Sequence, residues 1–179
     1  MHPVEVLKSE HRLIEQVLDL LEAMLIRGQE GRTPPEGILT WITDFLQQFS
    51  DRCHHAKEEE LLFPLLEAHG VPREGGPVGC MLHEHTQGRE FVIRMKQGIG
   101  PDGTPSDDSL SAAASFITLL REHILKEDNI LFEMARQHIP DAEAESLLEQ
   151  FADVTEERQF AKLRTRFETE LGQWQKQLC

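Results

Sequence analysis

The residues able to do chemistry come twice. His54 to Phe63 reads H-H-A-K-E-E-E-L-L-F and His123 to Phe132 reads H-I-L-K-E-D-N-I-L-F, so H-x-x-K-E-x-x-x-L-F recurs 69 positions apart. A Glu-His pair precedes each copy, at Glu10-His11 and at Glu84-His85. Residues four apart on a helix share a face, with Cβ atoms roughly 5–6 Å apart, so His54 with Glu58, and His123 with Glu127, can each reach one metal centre. Joined by His11 and His85 they offer four imidazoles and two carboxylates, a set able to hold two metal ions inside a four-helix bundle.

A lone carboxylate or imidazole in a seam of Leu, Ile and Phe would cost several kcal/mol, roughly the penalty for burying an unpaired polar group. A metal ion removes that cost. Glu58 and Glu127 suit the bridging positions because each carboxylate has two oxygens. Mixed nitrogen and oxygen donors without thiolate suit iron or manganese, or a mixed centre, better than structural zinc. One histidine on an apolar face is more often a hydrogen-bonded core residue than a ligand, but four at echoed positions reverse that expectation. The other histidines do not share the pattern: His2, His69 and His138 fall at helix ends as solvated residues. By α-helical periodicity His55 and His83 sit on the wrong faces, with His55 placed to support a ligand by a hydrogen bond. Lys57 and Lys126 echo each other and read as exposed partners of nearby acids.

The elements that must position these residues are helices. From Pro3 to Arg27, Val4, Leu7, Ile14, Leu18, Leu21 and Leu25 form a stripe with His11 in its missing step. After the break G-Q-E-G-R-T-P-P a second helix spans about Glu36 to His69, and Pro64 should bend it one turn past the motif. The third, about Val78 to Gly98, aligns Met81, His85, Gly88, Val92 and Met95. The fourth, about Ser109 to Ile139, aligns Phe116, Leu119, His123, Glu127 and Ile130, with Ser106, Asp107 and Asp108 as candidate N-caps. Short loops imply antiparallel neighbours. The expectation is an all-α, antiparallel up-down four-helix bundle over residues 1–139. A C-terminal helical extension of the same domain, 140–179, would pack across the bundle or pair with a second chain as a homodimer.

These stretches resemble the hemerythrin-like, or HHE cation-binding, proteins. The resemblance covers roughly Val4 to Ala135 and rests on S-E-H-R at Ser9 to Arg12, C-H-H-A-K-E-E-E-L-L-F-P at Cys53 to Pro64, L-H-E-H at Leu82 to His85, and R-E-H-I-L-K-E-D-N-I-L-F at Arg121 to Phe132. It implies an oxo- or hydroxo-bridged di-iron centre bound by His11, His54, Glu58, His85, His123 and Glu127. Oxygen-carrying members have two histidines on the third helix spaced His-x-x-x-His, whereas His85 here is flanked at those spacings by Met81 and Arg89. One ligand fewer favours reactivity over reversible oxygen carriage. The four-histidine, two-glutamate set is similar to that of iron–sulfur-repair di-iron proteins, which respond to nitrosative and oxidative stress. Those proteins often carry a cysteine-containing N-terminal domain that this sequence does not show.

With 32 acidic against 18 basic residues, the formal charge of −14 repels nucleic acid. No apolar run approaches a membrane span or a signal peptide, so the expectation is a cytoplasmic protein. Three cysteines without a C-x-x-C pair suit a reducing compartment, and Cys53 reads as a small buried apolar residue. The leading functional expectation is a non-haem di-iron protein that binds and reacts with O2, NO or H2O2 in sensing or stress protection. Two alternatives stand beside it: iron storage or donation for iron–sulfur cluster repair, and a metal-free helical protein that binds a partner through its acidic surface.

Overall fold

The computed structural model describes residues 1–178, and Cys179, the end of the expected tail, lies outside the described residues. The described residues form an antiparallel up-down four-helix bundle with two further helices after it. Helix α1 is Pro3–Gln29, ended by Gly31 in the left-handed region (φ 74°). It continues two residues beyond Arg27, because Gly28 keeps helical geometry and Gly31 makes the turn. Helix α2 covers 38–68, α3 is Pro77–Gln97, α4 covers 107–138, α5 is Asp141–Glu157 and α6 is Phe160–Leu178. Ser106 caps α4, its Oγ accepting from the Ser109 N–H, with Asp107 and Asp108 in the first turn where the helix dipole favours acids.

Two helices depart from α geometry at the repeated motif. In α2 the stretches Leu46–His55 and Glu58–Leu62 are π-helical, and in α4 so is Glu127–Leu131. The Phe63 N–H bonds back five residues to the Glu58 carbonyl, and the Phe132 N–H does the same to Glu127. Such turns are rare and concentrate at functional sites. The π turn does not depend on Pro64: the same turn forms in α4, where Glu133 stands in its place.

The apolar faces collect into two clusters, one on each side of the motif layer. Leu18, Leu21, Phe45, Phe49, Met95 and Phe116 anchor the first; Leu7, Phe63, Leu66, Met81, Phe132 and Phe151 anchor the second. The C-terminal helices pack back across the bundle. Leu147 and Phe151 of α5 enter the second cluster, while Phe160, Phe167 and Leu171 of α6 enter the first. No described helix is long and apolar enough to cross a membrane.

Candidate metal centre

Each bundle helix contributes at least one imidazole to the layer between the apolar clusters. His11 (α1), His54 (α2), His85 (α3) and His123 (α4) are all buried, as are Glu58 and Glu127. The structure thus brings all six expected residues together. One donor atom from each of His11, His54, Glu58 and Glu127 lies within 4.8 Å of the others, and the same holds for His55, His85 and His123. The two groups adjoin: His85 Nε2 is 3.5 Å from Glu58 Oε2, and His123 Nε2 is 3.2 Å from Glu127 Oε2.

Every one of the four rings is aimed by a carboxylate on the neighbouring helix. Glu10 of α1 takes His54 Nδ1 of α2 at 3.0 Å, and Glu59 of α2 takes His85 Nδ1 of α3 at 2.7 Å. Glu84 of α3 takes His123 Nδ1 of α4 at 2.9 Å, and Asp128 of α4 takes His11 Nδ1 of α1 at 2.8 Å. The acids form a closed ring around the bundle. An Nδ1–H donated to a carboxylate leaves the Nε2 lone pair facing inward, the tautomer a metal ligand needs. Each acid also meets a cation: Lys57 on Glu10, Arg89 on Glu59, Lys126 on Glu84 and Arg12 on Asp128.

Three sequence expectations change here. His55 does not face away: it is buried, and its ring stacks on His85 with centroids 3.8 Å apart. It lies at the end of the π segment Leu46–His55, and a wider helical turn puts adjacent residues at a smaller angle, so His54 and His55 both point inward. Lys57 is not an exposed partner. It is 1% exposed and ion-paired to Glu10, whereas Lys126 is half-exposed, as expected. His2 is partly buried rather than solvated, its Nδ1 accepting from the Val4 N–H at the start of α1. His83 and His138 are exposed, and His69 meets Glu143 near the surface. Arg89 is turned away from the centre toward Asp51 and Glu59, and Met81 is packed in the second apolar cluster.

The electrostatics are those of a site built around positive charge. Burial and the nearby Glu127 push the Glu58 carboxyl well above its ordinary range. Glu127 goes the other way: burial opposes ionisation, but His123 and His11 hold it well below. Burial lowers His54 to about 4 and His85 to about 3, each helped by a neighbouring imidazole. His123 is raised to about 9: burial would lower it, but Glu127 and Glu84 outweigh that effect. His11 is raised as well: burial would lower it, but Asp128 and Glu127 outweigh that effect.

The donor atoms also pass a direct test of fit. His11 Nε2 and both carboxylate oxygens of Glu58 and of Glu127 are buried without a hydrogen-bond partner. Orphaned buried polar atoms are uncommon and call for an ion or an unseen partner. A hemerythrin HHE cation-binding domain model matches residues 2–135. The chain belongs to that family. Its curated relatives include the iron–sulfur cluster repair protein YtfE of Musicola paradisiaca (strain Ech703), 33% identical over 144 residues, 75% of this chain and 64% of that protein. The YtfE of Dickeya chrysanthemi (strain Ech1591) is 35% identical over 104 residues, 54% of this chain and 44% of that one. That of Yersinia pseudotuberculosis serotype IB (strain PB1/+) is 28% identical over 134 residues, 72% and 59%. The chain spans less than two thirds of the length of these relatives. No solved structure matches it.

The family implies metal binding, and the clustered His and Glu donors supply the means. Sequence reasoning marked Glu10 and Glu84 as echoes without giving them a task, and it passed over Glu59 and Asp128. The signal for that second pair was there: an acid directly follows the motif glutamate in both copies.

Proposed function

We propose that the chain is a cytoplasmic non-haem di-iron protein that binds and reacts with O2, NO or H2O2 in sensing or in protection against oxidative and nitrosative stress. His11, His54, Glu58, His85, His123 and Glu127 would hold the two ions. The observation that carries this is the set of buried, unpartnered oxygens on Glu58 and Glu127 between four imidazoles whose Nδ1 atoms are already engaged. Mixed nitrogen and oxygen donors without sulfur favour iron, with manganese as the competitor for the same set. When bound and reduced, the iron pair supplies electrons to a small oxidant.

The chain's own residues do the rest. Glu58 and Glu127 each present two oxygens at the centre, and the four Nδ1-bound acids fix the rings. The apolar clusters on both sides keep bulk water from the layer. His55 adds a further imidazole beside His85 and His123, on the side where the third helix lacks the paired histidine of oxygen carriers.

A second reading, iron donation in cluster repair, is favoured by the iron–sulfur cluster repair role that the YtfE relatives are named for. One experiment separates these. Protein purified aerobically without added metal should carry about two iron atoms per chain, as two carboxylates and four imidazoles would over-ligate one ion, with near-ultraviolet charge transfer. Iron that leaves under mild chelation favours donation; one tight zinc without that band removes both readings.

A further inference from the structure

A cavity of about 190 Å³ lies between the π segment of α2, helix α3 and the middle of α4. Its inner end is formed by His55, His85 and Glu84, and its walls by Leu46, Gly88, Val92, Phe116 and Leu120. Arg89 and the half-exposed Ile93 stand on its outer side. The cavity therefore reaches the centre at His85; His11, His54 and His123 do not line it. Liquid water occupies about 30 Å³ per molecule, so the space greatly exceeds what a diatomic gas needs.

Its chemistry is that of a two-ended molecule. The walls are apolar, and the inner end is polar: His55 Nδ1 is buried, 3.4 Å from an Asp51 oxygen that already accepts from Arg89, and makes no hydrogen bond. Arg89, the one cation on the lining, is already paired with Asp51 and Glu59, so an anionic head group finds no free positive charge there. We propose that this cavity binds short-chain organic hydroperoxides, the apolar tail against Val92, Phe116 and Leu120 and the neutral peroxide end beside His55 and His85. The proposal rests on the di-iron reading and gives it a substrate class. The overall step is ROOH + 2 e⁻ + 2 H⁺ → ROH + H2O: the O–O bond breaks, one oxygen leaves in the alcohol and the other as water. The two electrons come one from each ferrous ion, which become ferric, and the two protons come from solvent.

Gly88 makes this testable because it sits on the wall. A Cβ there would meet only Phe116 Cε2, at 3.6 Å, so a side chain can be built without displacing backbone. Gly88→Leu, and independently Val92→Phe, should fill the space. In metal-free protein, saturation-transfer NMR with tert-butyl alcohol, the unreactive analogue, should show binding to the wild type and loss of it in both variants. In iron-loaded, reduced protein of equal iron content, stopped-flow oxidation by tert-butyl hydroperoxide should slow in the variants about tenfold more than oxidation by H2O2, the discrimination expected of lost pocket volume. Absence of tert-butyl alcohol binding to the wild type, binding unchanged in both variants, or equal slowing of the two peroxides would overturn the proposal. A chain that holds no iron would remove the di-iron reading and the reaction with it, while the alcohol arm still decides whether the cavity takes the two-ended molecule.

Discussion

Asp128 binds His11 Nδ1 at 2.8 Å from 117 residues away in sequence, while the residue before it, Glu127, places a carboxylate oxygen 3.2 Å from the same ring's Nε2. One imidazole thus lies between adjacent acids of one π turn, hydrogen-bonded to the outer and facing the inner. Removing the outer acid should therefore weaken the inner site without touching a donor atom. Asp128→Asn and Glu10→Gln are each expected to lower metal affinity about 10–100-fold, the usual cost of losing a carboxylate that orients a ligating histidine. Competition against a chelator, with circular dichroism to confirm folding, measures this; unchanged affinity in both variants would remove the orienting role.

The inner carboxylates should behave more severely. Glu58→Ala and Glu127→Ala are expected to lose most of the bound metal, since each removes both of its oxygens from the centre. His69→Ala and His138→Ala should retain it, because His69 faces Glu143 near the surface and His138 is exposed. Metal analysis of the four purified variants decides the point, and equal content in all four contradicts the assignment.

Lys57 and Lys126 occupy equivalent places in the repeat but unequal surroundings. Lys57→Met strands Glu10, which is 4% exposed, and should cost about 3–5 kcal/mol, the penalty for breaking a buried pair. Lys126→Met should cost only about 0–1 kcal/mol, as expected near the surface. Urea unfolding of the two metal-free variants compares them, and equal losses would mean that burial does not separate the two lysines.

Cys53 is buried and its thiol is pushed up to about 12, by burial first and by Glu10 second. Only the thiolate reacts, so alkylation of Cys53 in folded protein should be negligible at neutral pH and remain far slower than that of Cys80 as pH approaches 9. Cys80 is exposed, and although its pKa is also raised, by its surroundings and Glu84, it should label with a rate that climbs with pH. Mass spectrometry of a Cys179→Ser variant after timed iodoacetamide treatment reads both sites; prompt labelling of Cys53 would show that this part of the core opens.

The helical architecture and six convergent residues were legible because they depend on local spacing. His11 completes an apolar stripe, and the i, i+4 pairs His54/Glu58 and His123/Glu127 need only a helix to meet. His55 was not legible, because α periodicity assumes a turn that Leu46–His55 does not make. The doublet His54-His55 is what the π turn permits, two adjacent imidazoles both facing inward, whereas Glu10-His11 and Glu84-His85 are adjacent functional residues on ordinary α-helix that serve different partners. The burial of Lys57 was hidden for another reason. It depends on Phe151 of α5 lying 6.0 Å away, a contact that no pattern within the repeat contains.

The ring of acids ties the two halves of the bundle together. A single helical hairpin, α1 with α2, closes only one link, Glu10 to His54, and leaves two loose ends: His11 lacks its acid and Glu59 lacks its ring. The hairpin of α3 and α4 closes Glu84 to His123 and offers the complementary loose ends, Asp128 and His85. Two copies of either hairpin would satisfy one another by the same rule. The 69-residue repeat therefore joins two hairpins, each incomplete alone, and Lys57 and Lys126, the same residue in both, differ only in what packs around them.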